Sequence, residues 1–303
     1  MINRKVKTIG HPQPSRGFLG EGHIAIPVIS GSNFIDTDPF IILMDDQLDL
    51  PGEGSVGGPH PHAGFETVTL VLEGDAYSQE KTLQTGGLEW MTAGSGIVHT
   101  EEIRHQVKMR ILQLWLVLPK DKRWMKPRWQ ELHPDNVPVK KEGDSEIRVY
   151  SGTSMGMTAP TLNETPTILV DFKLSPGFEV AQNLPVNYNG FVYIIEGNVE
   201  VGLQQTPVGK GQVAWLDRPE GSGDSSILFR AGTNGARFVF YAGEPQLDEI
   251  VSHGPFIGDS TDDIARLYQE YRQGKMKHVK DLPAEQLIRH ELTTSLPGLQ
   301  SNT

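Results

Sequence analysis

The stretch GGPHPHAGFETVTLVLEGD, residues 57–75, carries His60 and His62 one residue apart at the entry to a run of β-branched and aliphatic residues. Side chains on a strand alternate between its two faces, so both imidazoles point the same way and offer two nitrogens to one metal ion. Further along, WMTAGSGIVHTEE sets His99 and Glu101 at the same spacing. Two such pairs supply four ligands. The chain has no cysteine, which removes disulfides, thiolate sites and a thiol nucleophile together and leaves imidazole and carboxylate as the strong ligands. A set of three histidines and one carboxylate suits Fe(II), Mn(II), Co(II), Ni(II), Cu(II) or Zn(II), and affinity order alone does not choose among them. Four protein ligands leave two positions of an octahedron for a substrate oxygen and dioxygen, or for waters. The competing reading, histidines satisfied by backbone carbonyls inside a barrel, leaves two equally spaced pairs unexplained.

The elements that must position these residues are mostly short strand-like runs separated by turns, for which 33 Gly and 21 Pro supply the punctuation. Such runs include HIAIPVIS (23–30), FIILMD (40–45), ETVTLVLEG (66–74), RILQLWLVL (110–118), PTILVDFKL (166–174), FVYIIEG (191–197) and RFVFYAG (237–243). The fold class is all-β. Helical periodicity is clear only in DSTDDIARLYQEYRQGK, with Ser260 as N-cap, Asp262 and Asp263 in the first turn, and Ile264, Leu267, Tyr268 and Tyr271 on one face. We read it as a helix packed on a sheet.

An internal similarity divides the chain. VLEG ending at Gly74 matches IIEG ending at Gly197, and each precedes a Gly-x-x-x-Trp segment, Gly86 to Trp90 and Gly211 to Trp215, after 12 residues in the first copy (74 to 86) and 14 in the second (197 to 211). Two related β-units follow, residues 1–133 and 134–303, joined through the Pro- and charge-rich stretch 119–144. Its Lys120, Lys122, Arg123, Lys126 and Arg128 interleave with Trp124 and Trp129, either as a small nucleic-acid surface or as a charged connection whose tryptophans pack on a neighbouring barrel. None of the ten histidines falls between His133 and His253, so the second unit has no imidazole for a metal; at the matching place it has Asn187 and Asn189, poor substitutes. Trp90 and Met91 follow a glycine turn, where they either line a pocket mouth or join the core.

Length and composition agree with a globular protein of one large or two ordinary domains: 303 residues, 37% hydrophobic. A net charge of −11 argues against direct binding of nucleic acid, whose usual footprint is a basic face. The basic opening MINRKVKTIGHPQPSRGF has no apolar core, no stretch approaches membrane-spanning length, and the expected compartment is the cytoplasm.

PHPHAGFETVTLVLEG followed by GGLEWMTAGSGIVHTEE resembles the pirin family, a branch of the cupin superfamily, and the resemblance continues through LQLWLVLP, KPRWQEL, GEPQLDEIVSHGPF and YRQGK. It implies a bicupin, two stacked β-barrels of which only the N-terminal one binds metal, here followed by a short C-terminal helix. It also implies a His-x-His and His-x-Glu ligand set, which falls on His60, His62, His99 and Glu101, and iron as the metal. General cupins take a glutamate from the first motif, and Glu66 is the candidate there. It lies four residues beyond His62, roughly 13 Å at ordinary strand rise, and the usual ligand position, five beyond, is Thr67. Glu101 is therefore preferred, with Glu66 expected as a supporting or strand-edge charge.

Members of the family are associated with oxygenative cleavage of flavonols such as quercetin, and the resemblance implies that Glu101 doubles as the base that takes the substrate's hydroxyl proton. The alternative is a regulatory protein whose metal state controls binding of a protein partner, the role ascribed to pirins as transcription coregulators or modulators of metabolic enzymes. A cupin isomerase would need further acid/base residues lining the barrel, and the sequence does not single any out.

Overall fold

A computed structural model describes residues 2–31, 34–74, 76–78, 81–105 and 108–290. The strands used below are, in the first half of the chain, β1 (Val6–Gly10), β2 (His23–Ile29), β3 (Phe40–Asp49), β4 (Ser55–His62), β5 (Phe65–Glu73), β6 (Leu88–Thr92), β7 (Ile97–Arg104), β8 (Lys108–Val117) and β9 (Arg128–Leu132). The second half adds β10 (Thr167–Leu174), β11 (Asn189–Val201), β12 (Val213–Leu216), β13 (Asp224–Gly243) and β14 (Leu287–His290). The protein is all-β, with two stacked barrels and a short C-terminal helix.

In the first barrel the main sheet runs β14-β9-β6-β5-β8-β3-β2 and ends on Ser15–Arg16. A smaller sheet pairs β4 with β7 and continues through Ala76–Ser78 and Lys81–Leu83. The central β5 is buried along almost its whole length, Glu66, Thr67 and Thr69 included, as a strand covered on both faces is. The second barrel is one ten-stranded sheet built around β10, β13, β11 and β12. Its interior is closed by aromatic packing: Phe172 stacks on Phe238 with centroids 5.0 Å apart, and Phe229 lies 4.9 Å from Phe238. Each such buried ring stabilises the fold by roughly 2–3 kcal/mol.

The internal repeat has a structural counterpart. Gly74 and Gly197 both have positive φ, and in each a Cβ would lie 2.1 Å from a neighbouring carbonyl, of Lys108 and of Gly235 respectively, so only glycine fits. Trp90 and Trp215 then sit on equivalent strands, beside β5 and β11.

The two barrels also exchange terminal strands, since β1 pairs with β12 and β14 pairs with β9. Between them lies one shared core, with Leu70, Trp90 and Leu114 from the first barrel and Tyr150, Phe191 and Tyr241 from the second. A carboxylate is buried at this junction: Asp45 accepts 2.9 and 2.7 Å bonds from Arg110 and a 2.7 Å bond from Tyr193 Oη of the other barrel.

The 119–144 stretch is more ordered than a connection, because β9 is a strand of the first sheet and Val139–Glu142 opens the second. Three of its cations are paired with acids from the second half of the chain. Lys122 and Arg128 each pair with Glu164 at 2.9 Å, Arg123 is buried against Asp259, and the Arg266 guanidinium lies 4.6 Å from the Trp124 ring centre, while Trp129 is buried. The helix Thr261–Arg272 starts where expected, with Ser260 Oγ accepting from Asp263 N at 3.2 Å. Ile264 and Leu267 are buried against Ala63 and Phe256, whereas Tyr271 at the end of the row is exposed. No helix among the described residues is long and apolar enough to cross a membrane.

The Asp45 junction gives a test. Asp45→Ala leaves the Arg110 charge without its partner in a dry interface and is expected to lower stability by roughly 3–5 kcal/mol. Tyr193→Phe removes one hydrogen bond and is expected to cost about 1–2 kcal/mol. Urea denaturation reads both; equal losses would mean that the ion pair is not what holds the junction.

Candidate metal centre

The site is set by the antiparallel register of β4 and β7, in which His60 lies directly opposite His99, His62 opposite Ile97, and Glu101 opposite Gly58. The close approach of these strands needs Gly57, whose φ is +98° and whose Cβ would meet the Glu101 carbonyl at 2.1 Å. Alternation then turns His60, His62, His99 and Glu101 to one side, as their spacing predicts.

The three imidazoles form a near-equilateral group, with ring centroids 4.3 Å apart for His60 and His99 and 4.9 Å for each of the other pairs. One nitrogen from each ring lies within 4.8 Å of the others, close to the roughly 3–4 Å that separates donors around an ion with bonds of about 2.1 Å. His60 and His99 face each other through Nε2 at 2.8 Å, and His60 Nδ1 is 2.9 Å from the Gly58 carbonyl, which fixes its outward nitrogen as the hydrogen-bond donor. Glu101 is at the edge of the group, its Oε2 4.0 Å from His60 Nε2. Its Oε1 is 3.3 Å from Thr69 Oγ1, which is also 2.8 Å from Gln113 Oε1.

The electrostatics suit a cation. Burial, reinforced by the neighbouring His99, holds His60 below its ordinary pKa, and burial holds His62 well below it, with His99 and His60 adding to the effect. His99 is also fully buried, which alone would lower it, but Glu101 and Glu89 outweigh the burial and raise it. Glu89 is the buried carboxylate behind the cluster, 3.8 Å from His99 Nδ1, in the place where metal-ligating histidines keep an acidic partner. One nitrogen of each of the three rings converges on the same small space, so the donor set fits a divalent transition metal.

The group opens into a cavity of about 320 Å³. Its walls are largely apolar, with Ile42, Met44, Leu48, Ile103, Ile111 and Trp115, and Phe18 stands exposed at its mouth. Asp46, His23 and Gln113 are its other polar residues besides His60, His62 and Glu101.

Glu66 is elsewhere. It is fully buried on the central β5 rather than at a strand edge, accepts a 2.7 Å bond from Thr92 Oγ1, and is raised in pKa by burial. Trp90 and Met91 are fully buried in core clusters and do not line the cavity. Asn187 and Asn189 donate to Glu244 and to the Asp38 carbonyl. Sequence reasoning missed Glu89, Thr69, Gln113, His23 and Asp46. For Glu89 a signal existed, its place beside Trp90 in the repeated Gly-x-x-x-Trp segment; the others meet the site only across strands distant in sequence.

The family model described as Pirin matches residues 29–116, and that described as Pirin C-terminal cupin domain matches residues 169–277. The chain is 35% identical to Pirin-like protein 2 of Arabidopsis thaliana over 266 residues, covering 84% of this chain and 81% of that protein. It is 33% identical to Pirin of Homo sapiens over 247 residues, 78% of this chain and 82% of that one. Among solved structures, a quercetin 2,3-dioxygenase from Acinetobacter baumannii matches with a TM-score of 0.78 at 25% identity, over 90% of this chain and 98% of that one.

The imidazole environments predict an order of protonation in the metal-free protein. His62 stays neutral as pH falls well past the ordinary value of 6.5, whereas His99 takes up its proton above that value. Because the folded pKa of His62 is depressed, its contribution to stability is present above 6.5 and is lost as pH falls toward the lowered value. Nitrogen NMR of labelled histidines reads both; titration of His62 at or above 6.5 would overturn the assignment.

Proposed function

The chain belongs to the pirin family, and from that premise we propose that it is a metal-dependent dioxygenase of flavonol-type substrates, with His60, His62, His99 and Glu101 holding one divalent ion. The observation that carries this reading is the meeting of a three-imidazole cluster, of which His60 and His62 reach the cavity wall beside Glu101, with about 320 Å³ of mostly apolar space. Similarity to the Acinetobacter baumannii quercetin 2,3-dioxygenase supports the substrate class. We take the ion to be Fe(II), with Mn(II), Co(II), Ni(II), Cu(II) and Zn(II) as the other metals that this ligand set accepts. When bound, it supplies Lewis acidity and the redox chemistry that dioxygen requires.

The residues of the chain would divide the remaining work. Trp115, Ile111, Ile103, Ile42 and Met44 exclude water and hold a flat aromatic body by contact. The Glu101 carboxylate takes the proton of a substrate hydroxyl presented to the cluster, while Thr69, beside Oε1, keeps the other oxygen turned toward His60. Glu89 orients His99 from behind.

The regulatory reading has one observation in its favour, a groove flanked by the exposed Ile35 and Leu247, 89% and 79% accessible. A partner protein would cover such a patch. The two readings separate on turnover.

Metal analysis should find one ion per chain, lost in His60→Ala and in His99→Ala; a full equivalent retained by both variants would refute the ligand assignment. In Glu101→Gln three imidazoles remain, so most of the metal should stay. Oxygen uptake with quercetin should fall by roughly 10²–10⁴ in that variant, the usual worth of a positioned general base. Wild-type turnover by Glu101→Gln would remove it as the base. No quercetin consumption by fully iron-loaded wild-type protein would give the regulatory reading the field.

A further inference from the structure

The cavity has a second polar pole on the wall facing the imidazoles. The inward row of β3 is Ile42, Met44, Asp46 and Leu48, alternate residues that all line the cavity, so an acid stands where the pattern of the strand asks for an aliphatic side chain. We propose that Asp46 accepts a hydrogen bond from a hydroxyl on a ring remote from the one Glu101 deprotonates, making the protein selective for aromatic substrates hydroxylated at both ends.

The hydrogen bonds around Asp46 carry this. His23 is buried on the neighbouring β2, and its Nδ1 accepts from Leu19 N at 3.3 Å, which places the ring proton on Nε2. Nε2 donates in turn to Asp46 Oδ1 at 2.8 Å. The imidazole is thereby committed at both nitrogens and serves to hold the carboxylate. Asp46 Oδ2 has no donor among the described residues, and the side chain keeps 15% of its surface accessible. A half-satisfied acid in an apolar wall costs free energy that leucine would avoid, unless a ligand supplies the missing donor. Burial raises the Asp46 carboxyl above its ordinary range, opposed by the His23 hydrogen bond, and a substrate hydroxyl would oppose it further. Because Asp46 is on the main sheet and Glu101 on the smaller one, a substrate spanning the cavity meets an oxygen acceptor at each wall.

The inference rests on the flavonol reading, and binding rather than turnover tests it. Metal-loaded protein is titrated, by quenching of tryptophan fluorescence, with quercetin and with 3-hydroxyflavone, which keeps the cluster-facing hydroxyl and lacks every remote one. Wild type should bind quercetin at least about tenfold more tightly, the usual worth of a hydrogen bond to a charged acceptor. Asp46→Leu, which completes the apolar row, should bring the ratio to one or below, and Asp46→Asn should keep only part of it. Should Asp46→Leu fail to fold by circular dichroism, the isosteric Asp46→Asn decides. A full wild-type ratio in the folded variant, or a ratio of one in wild type, overturns the role of Asp46 and leaves the flavonol reading standing. Wild type that binds neither compound overturns both.

Discussion

The pairing of β4 with β7 is the constraint on which the candidate site depends. Side-chain period in a strand is two, so a slip of one residue in this pair would turn His60 and His62 away from His99 and dissolve the group. Gly57 makes the register obligatory at one point, because any side chain there would collide with the Glu101 carbonyl. Two prolines, Pro59 and Pro61, alternate with the ligand histidines and give up two backbone donors, yet the bridging positions of β4 opposite β7 persist from Ser55 to His62. The strand is thus specified by what it must present as much as by its propensity, which for Gly and Pro is poor.

One barrel plan is used in two ways. In the second barrel Phe172, Phe229, Phe238 and Phe240 fill the interior, and such close packing leaves little room for a ligand. In the first, the interior is lined by Ile42, Met44, Ile111 and Trp115 but remains a cavity, with His60 and His62 at its wall. The exchange of β1 and β14 and the Asp45-Arg110-Tyr193 junction tie the filled barrel to the hollow one. A cavity beside desolvated histidines is an unfavourable arrangement in isolation, and a well-packed neighbour offsets its cost.

Much of this was legible in the sequence because it follows from local periodicity. The runs at Phe40, Phe65, Lys108 and Thr167 alternate or are continuously apolar, the helix after Ser260 has its cap and its buried pair Ile264 and Leu267, and the spacing of His60, His62, His99 and Glu101 survives folding unchanged. What was not legible depends on pairings between distant segments. Thr69 reaches Glu101 across 32 residues and Gln113 across 44, and no local pattern joins them. Arg4, in the basic opening of the sequence, is buried, with Nε donating to Ser225 Oγ at 2.9 Å and Nη2 to the Tyr188 carbonyl at 2.6 Å. The basic and aromatic residues of 119–144 look like a surface until Glu164 and Asp259, supplied by the second half, are placed beside them.

The same long-range logic explains why the second half of the chain bears on the site. Its hairpin of Val251–His253 and Phe256–Gly258, and the segment that follows the helix, are packed directly on the ligand strands: Ile257 N donates to the Ala63 carbonyl at 3.0 Å, Val98 N to the Lys277 carbonyl at 2.9 Å, and Thr100 Oγ1 meets His278 Nε2 at 2.9 Å. A Cβ on Gly64, just past His62, would sit 2.0 Å from the Ile257 carbonyl, so the hairpin is in contact with the chain as it leaves the second ligand. His62 and His99 are therefore held from outside the barrel that contains them. On the side away from Ala76–Ser78 the ligand strands have no further strand neighbour in their sheet among the described residues, so support there comes from outside the sheet. With residues 251–279 across its outer side, the β4-β7 pair keeps three imidazoles at near-contact distances despite the cost of burying them, and the most buried of the three, His62 and His99, are those that this segment flanks.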